Sequence, residues 1–189
     1  NYALREFPEM EPGFGPNTVK WRISIAPDST AIIEPFGGEN GAMLRKCPEY
    51  PDNLLQGGGK SNFLVDTLQV MLLYLDKKDA SEKYDAKHGY FVTLLKDAEQ
   101  QIPELLPAVG YFSKSEKLAL SQARLAELGA KSTDKAFFVI ERFNPVEDER
   151  CGDWWRAFRT RLLAESVKKP RAMVCLLSGD SNIPALTHP

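Results

Sequence analysis

Apolar and polar positions alternate along "VKWRISIAPDSTAIIEPF" (19–36), break at Pro27-Asp28-Ser29, and resume with β-forming residues. A period of two marks a half-buried strand. Pro and Asp favour a turn by fixing φ and by side-chain-to-backbone bonding, so the stretch predicts an antiparallel hairpin. Residues 37–61 lose the pattern, carry several glycines with Pro48 and Pro51, and read as loop. From Asn62 to Asp76 most positions are apolar, with only Asp66, Thr67 and Gln69 interrupting the middle. That pattern predicts a helix buried around most of its circumference. A second helix is expected over 80–101, weakened at Gly89, and "PELLPAVGYF" (103–112) reads as a short helical or turning piece.

Ser113-Lys114-Ser115-Glu116 matches a capping box, in which Ser113 bonds the Glu116 amide and Glu116 reaches back. The helix it opens should end at Gly129, where a left-handed residue meets no Cβ clash. "AFFVIERF" (136–143) reads as a strand, "DWWRAFRTRLLAESVKK" (153–169) as a helix, and "RAMVCLLSG" (171–179) as a buried strand. The final "DSNIPALTHP" has no periodicity. A strand pair, a helical block, then strand, helix and strand predict an α+β fold: a small antiparallel sheet with a helical block packed against it.

At 189 residues, 43% hydrophobic and 26% charged, the chain can build one sizeable core. It has no uninterrupted apolar run long enough to span a bilayer. The start, "NYALREFPEM", lacks the basic-then-apolar pattern of a signal peptide. Cys47, Cys151 and Cys175 are odd in number and far apart, which suits reduced thiols in a cytoplasm. Net charge is −2, against a dedicated nucleic-acid coat protein. Yet residues 150–171 hold Arg150, Arg156, Arg159, Arg161, Lys168, Lys169 and Arg171 against only Asp153 and Glu165. On a helix Arg156 and Arg159 share a side while Arg161 points elsewhere. A solvated face and an anion-facing patch both fit that arrangement.

"LLQGGGKSNFLVDTLQVMLLYL" (54–75) sets three glycines and a lysine against an apolar run. A nucleotide loop needs Gly, four residues, then Gly-Lys-Ser or Gly-Lys-Thr. Counting back from Gly59 gives Leu54, and "EYPDNLL" is no buried feeding strand. Bare amides and Lys60 before a helix would still attract anions of any kind, and a plain loop into a buried helix fits as well. Metal ligation finds little support: His88 and His188 are the only histidines, and no Cys-x-x-Cys occurs. Cys175 reads as a small core residue. His88 has no visible catalytic partner, which speaks against a hydrolase. At least one of Trp154 and Trp155 is expected in the core.

Two stretches taken together carry a resemblance. "KSNFLVDTLQVMLLYL" and "MVCLLSGDSNIPALTHP" resemble the amino-terminal region of the large subunit of the type I-C CRISPR surveillance complex, Cascade. The first matches that family's Lys-x-x-Phe-Leu-x-Asp loop at Lys60, Phe63, Leu64 and Asp66. The second matches its Cys-Leu, Ser or Thr, Gly-acid and His-Pro pattern at Cys175, Leu176, Ser178, Gly179, Asp180, His188 and Pro189, with Ile183 and Pro184 between. "KHGYFVTLL", "FFVIERF" and "WWRAF" follow in the family's order. Val65 and Thr67-Leu68 depart from its pattern.

The resemblance implies a single amino-terminal domain over 1–189 of a longer large subunit, cytoplasmic, non-catalytic and without cofactor or metal. Its role would be to recognise the protospacer-adjacent motif in duplex DNA and start strand separation, while guide RNA reads the sequence. Partners would be target double-stranded DNA, the guide-RNA-containing subunits and a helicase-nuclease recruited after target binding. The implied DNA-binding residues are Gly57, Gly58, Gly59, Lys60, Ser61 and Asn62, with Arg159 and Lys169 on the basic segment. Lys60 and Asn62 can donate to acceptors on the minor-groove edge. The alternatives are a scaffold domain docking to neighbouring subunits and guide RNA, or a phosphate-binding enzyme using residues 57–61.

Overall fold

The hairpin expected over 19–36 is present at one edge of a four-stranded sheet. The computed structural model describes residues 11–50, 58–77, 79–166, 173–174 and 181–182. Strand β2 (Trp21–Ile25) pairs antiparallel with β3 (Ala31–Pro35), setting Ile23 opposite Ile33. Asp28 closes the turn by accepting from the Thr30 amide at 2.9 Å and the Thr30 hydroxyl at 2.7 Å. On its other side β2 runs parallel to β6 (Lys135–Ile140), which pairs antiparallel with β5 (Val65–Thr67). The order is β3-β2-β6-β5. A parallel pair needs a long crossover, and the helical block between the two strands supplies it. The α+β class stands, with one parallel pair inside the sheet.

Strand β6 is buried on both faces, as its unbroken apolar run suggests. Phe137 meets Phe36 on one side (centroids 4.9 Å apart), and Phe138 meets Phe112 on the other (5.4 Å). Phe112 in turn packs edge-on against Phe91 at 5.0 Å, so the sheet and the helices share one aromatic core.

Two strands lie where none was expected. Strand β1 (Phe14–Val19) pairs antiparallel with β4 (Ala42–Pro48), with a register shift between Gly15 and Asn17. β4 falls inside the stretch read as loop. Its burial does not alternate, since Arg45 and Lys46 are both exposed and Cys47 and Pro48 both buried, so the period-two signal is lost.

The predicted long helix from Asn62 to Asp76 is corrected as well. The segment forms β5 and then a single turn, α1 (Leu68–Met71). A continuous apolar run fits a buried strand or a buried helix equally. Pairing of Val65 with Phe137 on β6 decides for the strand.

Helix α2 (Ser81–Glu99) runs through Gly89 unbroken. A 3-10 turn (Pro103–Leu105) leads into α3 (Leu106–Phe112), followed by α4 (Ser115–Glu127). The capping box at Ser113 does not form. The N-cap of α4 is Lys114, without a side-chain cap, and the Ser113 amide closes α3 by donating to Val109 O at 3.1 Å. The other end of α4 behaves as expected. Gly129 takes φ +68°, its amide donates to Ala126 O at 3.2 Å, and the Ala130 amide donates to Leu125 O at 3.0 Å, a Schellman stop.

His88 ties this block together. One ring nitrogen lies 2.9 Å from Val70 O and the other 2.9 Å from Phe112 O. It joins α1, α2 and α3 in a structural role.

Helix α5 (Glu149–Ser166) starts about a turn earlier than expected. Packing divides the chain into two units, Asn1–Arg156 and Ala157–Pro189. In the second, β7 (Met173–Val174) pairs antiparallel with β8 (Ser181–Asn182). The remainder of the strand expected over 171–179, and the motif residues from Cys175 to Pro189 named above, lie outside the described residues. No described helix is long and apolar enough to cross a membrane.

Candidate nucleic-acid interface

Residues 58–62 lead into β5, and no helix starts at their end. The loop therefore has no helix dipole to attract an anion and relies on its own donors. Gly58 and Gly59 take φ of +72° and +77° in succession. Side-chain-bearing residues adopt that region only at a cost, so both glycines serve the loop's path. Gly57 lies outside the described residues.

The Lys-x-x-Phe-Leu-x-Asp motif divides by burial. Phe63 and Leu64 are fully buried. The Phe63 ring lies 4.5 Å from Trp154 and stacks on Trp155 at 6.1 Å. Both tryptophans are core residues, so neither is presented for base stacking. Asp66 is 9% exposed. Its carboxylate accepts from the Asn62 amide at 2.8 Å and the Thr67 amide at 2.7 Å. Burial pushes its pKa up, and these two backbone donors oppose the shift. Through these two contacts Asp66 clamps the loop's exit into β5.

Lys60 is the half-exposed member of the motif. No acidic side chain pairs with it among the described residues. Its ammonium lies over the Tyr50 ring, 6.0 Å from the centroid. Asn62 Oδ1 accepts from the Tyr50 amide at 3.3 Å. A backbone N–H can only donate, so the oxygen must face it and the NH2 end of Asn62 is left as a donor. Ser61 is 2% exposed and its Oγ has no hydrogen-bond partner among the described residues.

No family model and no curated protein matches this chain.

The basic segment differs from its formal charge. Arg150 donates to Glu104 at 2.7 Å and to Asp148 at 3.0 Å. Arg156 donates to Asp153 at 2.7 Å, to Glu149 at 2.9 Å and to both oxygens of Glu11. Arg159, on α5 in the second unit, is half-buried, and its Nε is buried without a hydrogen-bond partner among the described residues. Lys169 lies outside the described residues. Gly58 to Asn62 form one contiguous stretch of the first unit, and Arg159 belongs to the second.

Among the described residues no cluster of His, Cys, Asp or Glu could hold a metal ion. Burial pushes the Cys47 thiol up to about 11 and the Cys151 thiol up to about 12, so neither is poised as a thiolate nucleophile. Tyr50 and Tyr90 are the residues that sequence reasoning missed. Their hydroxyls bond each other. No spacing rule connects Tyr50 with Lys60 or Tyr90, because a loop and a separate helix bring them together.

Proposed function

We propose that the chain is a non-catalytic DNA-recognition module of an RNA-guided surveillance complex of the Cascade type. It reads the motif flanking the target in duplex DNA and starts strand separation. The observation that carries this reading is the loop itself: Lys60 has no acidic partner among the described residues and rests on the Tyr50 ring, Asn62 keeps its NH2 donors beside it, and Phe63, Leu64 and Asp66 are buried. Donors suit the minor-groove edge, where A·T pairs show only acceptors and G·C adds the guanine 2-amino donor. Such a loop discriminates by the presence or absence of that amino group. Guide pairing then supplies the rest of the sequence specificity.

The phosphate-binding alternative lacks the support of a helix N-terminus, since β5 follows the loop. The test is equilibrium binding of the assembled complex to duplexes that differ only at the flanking motif. Motif-bearing duplex is expected to bind more tightly. Where a G·C pair at the contacted step weakens binding, inosine·cytosine, which lacks the 2-amino group, should restore it. Equal affinity for all these duplexes would sink the proposal.

A further inference from the structure

We infer that Tyr50 is the positioning residue of the loop, holding both Lys60 and Asn62 toward the duplex; this rests on the DNA-reading role proposed above. Tyr50 is itself held on several sides. It is 2% exposed, its hydroxyl bonds that of Tyr90 on α2, and its ring lies edge-on to Trp155 at 5.0 Å. From that fixed position it touches the loop twice. Its ring sits beneath the Lys60 ammonium at 6.0 Å, and its amide donates to Asn62 Oδ1 at 3.3 Å.

The choice of an aromatic support has a chemical consequence. A carboxylate would orient Lys60 equally well but would cancel its charge. The face of an aromatic ring attracts the ammonium through its quadrupole and leaves the full positive charge in place. The amide contact does the complementary work on Asn62. It consumes the side-chain oxygen and leaves the NH2 end, so one residue makes the loop a surface of donors.

The two contacts can be separated, because Tyr50→Leu removes the ring and keeps the amide. Duplex binding would be measured for assembled complexes carrying wild type, Lys60→Ala, Tyr50→Leu, Tyr50→Phe and the Lys60→Ala/Tyr50→Leu pair. Lys60→Ala and Tyr50→Leu should each weaken binding by about tenfold. The pair should add no more than about twofold to the worse single change, since both remove one coupled interaction. Tyr50→Phe keeps the ring and the amide and should bind within about twofold of wild type. Fully additive losses, or wild-type binding by Tyr50→Leu, would overturn the positioning role.

A second readout does not depend on DNA. In lysine-labelled chain the Lys60 ε-methylene protons should be shifted upfield by the Tyr50 ring, and Tyr50→Phe should keep that shift. Unshifted protons in the wild type would overturn the inference, even if Tyr50→Leu cannot be folded. Wild-type duplex binding by Lys60→Ala, together with shifted Lys60 protons in the unmutated chain, would instead mark the DNA-reading role as the one that fails.

Discussion

The loop at 58–62 and the helix α5 were both candidates for facing an anion, and they treat their cations in opposite ways. The helix carries several arginines, yet Arg150 and Arg156 spend their donors on Glu104, Asp148, Glu11, Glu149 and Asp153. The loop carries one lysine, and that lysine rests on a ring. Counting charges in a segment favours the helix; counting which charges are already compensated favours the loop. A local excess of arginine becomes an outward field only where nearby acids leave it uncompensated.

The largest expected effect comes from the loop's foundation. Phe63→Ala removes a fully buried ring that packs against Trp154 and Trp155. A loss of about 3–5 kcal/mol in unfolding free energy is expected, read from urea denaturation. A loss below about 1 kcal/mol would mean that the loop floats on its core and owes its shape to something else.

Next in size is Lys60→Ala. Its partner is a ring and not a buried carboxylate, so thermal stability should barely move. Affinity of the assembled complex for motif-bearing duplex should fall by about 1–3 kcal/mol. Unchanged affinity in a normally assembled complex would remove the distinction between loop and helix. Asn62→Ala is the less clean variant, because it also breaks the contact with the Tyr50 amide.

These two substitutions also show what the sequence made legible. The hairpin, the Gly129 stop and the β6 strand were readable, because each depends on residues adjacent in the chain or on a clean period. Asn62–Asp76 was misread for a physical reason. An unbroken apolar run reports burial and not period, and only the partner strand β6 chooses between strand and helix. β1 and β4 stayed hidden because their pairing has a register shift and β4 places neighbouring charged residues in solvent. The capping box failed because α3 claims the Ser113 amide. At the candidate site, Lys60 was nameable from the motif and Asn62 from its place in the same glycine-rich loop. Tyr50 was not, since its contacts with Tyr90 and Trp155 join segments distant in sequence.

Within α5 the same contrast can be tested one arginine at a time. Arg156 is held by three carboxylates, so Arg156→Ala should leave the salt dependence of DNA binding unchanged. Arg159 is not among the described ion pairs. If it meets phosphate, Arg159→Ala should flatten the slope of log affinity against log salt by about one unit, uniformly across DNA sequences. A changed motif preference with the slope intact would show that Arg159 has a different role. A flattened slope for Arg156→Ala would show that its acids do not neutralise it.

The smallest effect concerns two carboxylates, one on each side of the comparison, whose pKa values move in opposite directions. The Arg156 guanidinium, assisted by Lys46 and opposed by burial, lowers Glu11 from 4.5 to about 2. A lowered folded value means stability that is present above pH 4.5 and lost as pH falls toward 2. The pair is solvent-exposed and screened by salt, so its part is small. Asp66 in the loop is raised above its ordinary 3.8 by burial. Its part is present below that pH and lost as pH rises through the raised value. Acidification from neutral pH should therefore shrink the stability advantage of wild type over Glu11→Gln. It should shift wild type favourably relative to Asp66→Asn. Unfolding measured across the acid range for the three proteins checks both signs at once. Parallel pH profiles for wild type and Glu11→Gln would show that the Glu11–Arg156 contact does not hold this carboxylate in solution.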